Sequence, residues 1–503
     1  MNSPCRSLFA ALMILIFVAP AVVAQCPYDP IPRINPYPPQ DVCLPDDKVA
    51  GIKYFDYFSW QSFVALVWPT SPRVERGVPL TDTTIWDERF GVYTDTQVPV
   101  FQSYKTDWET FQDKGAEPSP WNDYESEYAP CRGKTAEPIP RGSLQLAAFS
   151  KFGNVRLATL GDFAGPLISQ NKQYTRFLAA FNEAAFDNIR NEKWYLQSEL
   201  TDVKFKPQGM RNPITVKSSW VVMTDGMDAS RFYTTWAYVL DTETDKCTHE
   251  KVGLVGLHIV TKTPSRPQWI WSTFEQVDNV PLDPGNNTPQ PRGKMPYTYN
   301  NGKANELMPS ENPIDTPTTV PCVPPPKGAP CPFNVTRITP IAPSTRETNK
   351  KYQDKLAGEG SGVWQYYELV MTQWPTPGNS TKSGQPANTI PGNKTDPMTA
   401  FANTTMETFD QAQIDTGCMA CHDAAGTKLE GTDFNWALPL NAFPAPKPKV
   451  SAAYPHGNLA AEPTSPALKK LIAILAQGQK EMAASPKTAK PPAKKKTQPK
   501  AKK

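Results

Sequence analysis

Three stretches decide the fold: Ile214-Thr-Val-Lys-Ser-Ser-Trp-Val-Val-Met223, Val252-Gly-Leu-Val-Gly-Leu-His-Ile-Val-Thr261 and Pro267-Gln-Trp-Ile-Trp-Ser-Thr-Phe274. With Phe232–Leu240 they are rich in Val, Trp, Tyr and Thr, the residues that fit a pleated surface. No helical segment separates them, so the spacing predicts antiparallel pairing. Upstream, Ser143–Ser150 and Asn154–Thr159 are short strand candidates, and downstream Val363–Trp374 is another. Two helices are expected. Tyr54–Trp68 places Trp60, Phe63, Val64 and Val67 at helical spacing before Pro69 stops it. Gln173–Ile189 carries Phe177, Leu178, Phe181 and Ile189 on one side. Trp236, Trp269 and Trp271 fall in predicted strands and read as packing residues. The expectation is an α+β fold with a large, mainly antiparallel β-rich domain and a few helices.

At the amino end, Arg6, the apolar run Leu8–Val18 and the small residues closing at Ala24 have the order of a secretory signal. The apolar run is too short to span a bilayer comfortably. Gln25 before Cys26 is too large for a lipoprotein cleavage signal. Cleavage near Ala24 and a soluble exported product, periplasmic or extracellular, are expected. Of nine cysteines, Cys5 lies in the signal. Cys26, Cys43, Cys131, Cys247, Cys322 and Cys331 form an even set outside the motif described next, which favours three disulfides in an oxidising compartment. Cys322 and Cys331 are the easiest pair to imagine.

The strongest chemical signal is Cys418-Met419-Ala420-Cys421-His422. Two thiols three residues apart on one turn can each form a thioether to a haem vinyl group, and the adjacent histidine can then ligate iron. A redox dithiol would normally open a helix in a βαβ setting, which is absent. A zinc site needs a second ligand pair, and none is found at metal spacing. The reading is one covalent haem c, attached through Cys418 and Cys421, with His422 as proximal axial ligand. No nucleophile elbow, paired catalytic carboxylates or metalloprotease helix is found, and Gly253 and Gly256 are too sparse for a nucleotide loop.

On these residues the segment 398–484 resembles the c-type cytochrome superfamily. The whole chain is also similar to a group of uncharacterised exported bacterial proteins that place a haem motif behind a β-rich domain. That second likeness rests on Tyr54–Pro69, Gly253–Pro281 and Asn403–His422 and implies a layout but no activity. The superfamily likeness implies a short helical haem segment and a distal Met, yet residues 423–464 contain none. The distal candidates are therefore His258, in a strand apolar on both faces, His456, in a Pro-rich loop, and Met482. Each also reads blandly, His258 as a core histidine and His456 as an exposed one. Met406 precedes the motif, His249 reads as exposed, and an open distal position is the remaining alternative.

The expected organisation is a signal peptide (1–24), the β-rich domain (25–374) with a Pro-rich surface insertion at 281–349, a linker (375–397), the haem domain (398–484) and a tail (485–503). Within the haem domain, Met398–Thr416 reads as a helix, 423–464 as loop, and Ser465-Pro466 opens a last helix. Residues 487–503 hold eight lysines and no acid, so the formal charge of +3 hides a mildly acidic body. Such a chain is not expected to read nucleic acid. Electron transfer with a redox partner protein is the expected function. The alternatives are a haem oxidoreductase of peroxidase or oxygenase type with an open distal site, and a haem-linked ligand sensor. The tail reads either as a solvated end or as a weak contact to anionic membrane or an acidic partner.

Overall fold

Strand β8 (Lys246–Thr263) organises the molecule. Its first half is largely exposed and its second half is buried on both faces, which is why the sequence there becomes a continuous apolar run. Strand β6 (Ile214–Val222) lies along one edge of that buried half. On the other edge, β9 (Arg266–Gln276) and β7 (Thr234–Asp241) follow one another along β8. The sheet order is β10-β9-β8-β6-β5-β3, with β10 at Tyr367–Gln373, β5 at Arg176–Phe181 and β3 at Lys105–Thr106. These pairs are antiparallel. The exception is β4 (Leu144–Leu146), which joins β7 in parallel. The sheet is therefore mixed, with antiparallel pairs in the majority.

This structure, a computed structural model, describes residues 30–44, 51–70, 75–81, 93, 97–124, 129–148, 167–241, 244–282, 297–301, 335–337, 339–358, 362–374, 403–408, 418, 422, 425 and 431–444. The fold of this part is α+β. Asn154–Thr159, the signal, the linker, the tail, Cys322–Cys331 and the Ser465-Pro466 helix lie outside the described residues. Among the described residues no helix is long and apolar enough to cross a membrane.

Register divides the central sheet into two faces, because side chains alternate along each strand. Leu257 pairs with Phe274, and Ile259 with Ser272. This face receives helix α1 (Ile52–Leu66). Trp60 of α1 meets Phe274 edge-on at 5.1 Å between ring centroids. On its far side Trp60 stacks flat on Tyr352 at 5.0 Å. Tyr352 belongs to a helix at Pro343–Gly358, which itself bonds β10 through Asn349 and Leu369, so α1 packs against both the sheet and a second helix. Buried Asp56 accepts hydrogen bonds from the hydroxyls of Thr345 and Thr372. Ser59 meets both Ser272 and Thr372 at 2.7 Å. Asp56 and Ser59, two of the buried polar residues of α1, are thus satisfied by its neighbours.

Three expectations change. Phe177, Leu178 and Phe181 belong to β5, and the helix begins only at Glu183 and runs to Asn191. Asn182 sets that boundary: its side chain caps Ala185 N at 3.0 Å and also accepts from Ile214 N. The Pro343–Gly358 helix starts inside what reads as an insertion. Within the same stretch Tyr299 is fully buried, with its hydroxyl 2.7 Å from Thr175 Oγ1. Much of the described part of 281–349, including 297–300 and 335–337, is therefore buried rather than a surface excursion. Trp269 and Trp271 are buried, whereas Trp236 is 57% exposed and stacks on His249 at 4.9 Å. His249 is exposed, as expected.

Cys131 and Cys247 form a disulfide across 116 residues. It ties the loop after residue 129 to the start of β8.

Candidate functional site

The second sheet face carries the segments around the Cys-x-x-Cys-His motif. Gly256, His258 and Val260 of β8 pair with Glu275, Thr273 and Trp271 of β9 and share this face. Asn403–Thr408 lies against its Glu275 end. Asn403 Nδ2 donates to Thr273 Oγ1 at 2.8 Å and to Phe274 O at 3.1 Å. Its Oδ1 accepts from the amides of Thr405 and Met406. Asn403 is thus both a cap for the turn that follows and an anchor to β9. The predicted Met398–Thr416 helix is described only at 403–408, where Asn403 opens the turn.

Thr404 is fastened through the Glu275 carboxylate, which accepts from its amide and, at 2.6 Å, from its hydroxyl. Arg337, 1% exposed, donates to the same carboxylate at 3.0 Å and lies 3.4 Å from Glu368. One buried guanidinium therefore serves two carboxylates, and the charges are paired rather than stranded. Close approach at this point depends on Gly256. A Cβ there would stand 2.4 Å from Thr405 Oγ1 and 2.6 Å from Ser219 Oγ. Gly253 plays the same part beneath Met223 Sδ, at 2.6 Å.

Cys418 and His422 lie in helical backbone four residues apart, so both project from one side of the turn. Cys418 is half-buried and packs against two clusters, one with Ile341, Ala342, Val370 and Met371 and one that includes Trp271. The His422 ring sits 4.4 Å from the Trp271 ring, tilted by 52°. Its Nδ1 is 2.7 Å from the carbonyl oxygen of Phe434. A carbonyl can only accept, so Nδ1 carries the proton and the lone pair lies on Nε2.

The Phe434 carbonyl is aimed by an unusual turn. Asp433 and Phe434 both have left-handed backbone, with φ of 50° and 65°. For residues with a Cβ this costs about 1–2 kcal/mol each, so the surroundings must hold the turn. Asp433 Oδ2 accepts from Phe205 N at 2.8 Å and from Lys262 Nζ at 2.5 Å. Asp433 O accepts from Trp269 Nε1 at 3.0 Å, and Trp269 itself has φ of 71°. Burial pushes the Asp433 carboxyl above its ordinary range, and the Lys262 ammonium pulls it back.

Of the residues singled out from sequence, Cys418 and His422 come together on this face. Cys421, His456 and Met482 lie outside the described residues. His258 is 8% exposed, two strand positions from the residue facing Trp271. Its Nε2 is 3.4 Å from Glu407 Oε2, an ion-pair distance without a hydrogen bond. Met406 is buried, at 5% exposure. Among the described residues no three His, Cys, Asp or Glu side chains gather as a metal site. Sequence reading missed Lys262, Phe205, Asp433 and Phe434. The available signal was a charged and an aromatic residue side by side in a segment otherwise read as loop.

The residues present fit a c-type haem as far as they are described. A thiol and an imidazole share one side of a turn, and the imidazole is fixed in the tautomer that leaves Nε2 as the donor to a metal. No known family, curated protein or solved structure matches the chain.

Proposed function

We propose that this chain is an exported single-haem c-type cytochrome that transfers electrons to or from a redox partner protein. Cys418 and Cys421 would hold haem c through thioethers, and His422 Nε2 would ligate the iron. The observation that carries the reading is the bond from His422 Nδ1 to the Phe434 carbonyl. A histidine that ligates metal through one ring nitrogen commonly donates from the other to a carbonyl or carboxylate, which fixes ring and tautomer and raises ligand basicity. When bound, such a haem supplies a one-electron ferric–ferrous couple. The chain's own contribution is to orient the imidazole between Trp271 and Phe434, in a part-buried setting.

The test is to produce the full chain in a host that matures c-type cytochromes, denature it and extract with acidified organic solvent. Colour is expected to stay with the polypeptide, and a Cys418→Ser, Cys421→Ser chain is expected to lose it. Colour that leaves the unaltered chain overturns the reading. Spectra low-spin in both oxidation states, without carbon monoxide uptake, are the result expected for electron transfer. A high-spin ferric form that takes up carbon monoxide would place the chain among haem oxidoreductases instead.

A further inference from the structure

The contacts that aim the Phe434 carbonyl come from residues far from the motif in sequence. Lys262 lies in β8, Trp269 in β9, and the Phe205 amide in the segment before β6. We infer that the large domain sets the proximal histidine, with Lys262 and Trp269 as positioning residues that hold the Asp433–Phe434 turn against His422. This rests on the haem reading for its redox consequence, but not for its geometry.

The argument is one of constraint. Two consecutive left-handed residues with side chains do not persist unless neighbours over-determine them. Here the turn is closed by Asn435 N on Thr432 O at 2.9 Å and is tied down at Asp433 from outside. Trp269 Nε1 holds the Asp433 carbonyl, and Lys262 with the Phe205 amide holds the Asp433 side chain. What remains is the next carbonyl, that of Phe434, which is thereby turned onto His422 Nδ1. Trp271 limits the ring on its flank. Loss of Lys262 leaves the buried Asp433 carboxylate without its cation, and loss of Trp269 Nε1 frees the Asp433 carbonyl. Either change lets the turn relax toward ordinary backbone and swings the Phe434 carbonyl away. The imidazole then loses its fixed tautomer and becomes a weaker donor. A weaker donor favours ferrous over ferric iron.

The experiment uses the full chain in two forms. Produced without haem and labelled with nitrogen-15 at histidine, the unaltered protein is expected to show His422 as the Nδ1–H tautomer, assigned by difference from a His422→Gln chain. Lys262→Met and Trp269→Phe are expected to give a mixture of tautomers, and Lys262→Arg to restore the single one. In the haem-loaded protein the same two variants are expected to raise the ferrous-to-ferric ratio at fixed applied potential by about tenfold, equivalent to 59 mV for one electron. Failure of haem attachment would remove the second readout and leave the first intact, so the two readings fail separately. If Lys262→Met does not fold, Trp269→Phe decides, since it removes one donor and keeps a ring. Variants that lower the melting temperature while leaving tautomer and ratio unchanged are merely structural, and that outcome overturns the inference.

Discussion

The Glu275 carboxylate accepts hydrogen bonds from both the amide and the hydroxyl of Thr404, and this joint fixes the chain before the Cys-x-x-Cys-His motif to the end of β9. The same carboxylate neutralises Arg337, whose side chain is 1% exposed. Removing it leaves the buried cation with Glu368 alone, at 3.4 Å, and strands the two Thr404 donors. Glu275→Ala is expected to lower unfolding free energy by about 3–5 kcal/mol in urea titration. Glu275→Gln should cost less, because an amide oxygen can still accept from Thr404 and Arg337. Two variants equal to the parent would show that this joint does not hold the segment.

Gly256 tests the same joint from the steric side. Its missing Cβ would lie 2.4 Å from Thr405 Oγ1 and 2.6 Å from Ser219 Oγ. Both hydroxyls sit in a buried cluster with Asn403, which limits how far they can turn. Gly256→Ala is expected to cost about 1–3 kcal/mol as overpacking and to speed proteolysis near residue 403. Adding Ser219→Ala and Thr405→Ala should recover part of the loss. No recovery would mean that the glycine serves β8 itself and not the approach of Asn403–Thr408.

These two positions also show what the sequence could and could not disclose. The central strands were legible because burial on both faces forces an apolar run, and α1 because Trp60, Phe63 and Val64 keep helical spacing. Arg176–Phe181 misled because Phe177, Leu178 and Phe181 suit a helix face as well as a strand, and only the Asn182 cap decides. The Pro343–Gly358 helix was hidden by its polar composition, which hardly marks the side carrying Tyr352 and Leu356. At the candidate site, Cys418 and His422 were readable because the haem attachment proposed for them would fix their spacing. Lys262, Trp269 and Asp433 were not, because their meaning lies in contacts spanning about 160 to 170 residues, which no local pattern encodes.

The Cys131–Cys247 disulfide closes a loop of 116 residues. Chain-entropy reasoning for a loop of that order gives an upper expectation of about 5 kcal/mol, and removing native disulfides typically costs about 2–5 kcal/mol. Cys131→Ser with Cys247→Ser is expected to lower stability within that range. Cys131 is fully buried and Cys247 nearly so, so reductant should act on this bond only through unfolding. Reduction faster than unfolding in the native protein would contradict the burial.

Alkaline pH should act through tyrosines. Burial raises Tyr93, Tyr104, Tyr233, Tyr299, Tyr352 and Tyr367 above the ordinary phenol value. In the unfolded chain the same phenols ionise near pH 10. The folded state then holds more protons than the unfolded state at any pH above that point, so stability falls as pH rises. Below pH 10 the contribution of these six is fully present. Absorbance at 295 nm, followed against pH, is expected to show the exposed members of the eighteen tyrosines titrating first and without loss of structure. The buried six should then appear together, in one steep step that coincides with loss of circular dichroism from the sheet. In chains carrying Tyr233→Phe or Tyr367→Phe the step should release one phenolate fewer and move to higher pH, provided the lost hydroxyl contacts do not lower stability at pH 7. Smooth titration of all eighteen near pH 10 with the sheet intact would show that the core around Tyr233 and Tyr367 admits charge, against the burial described for it.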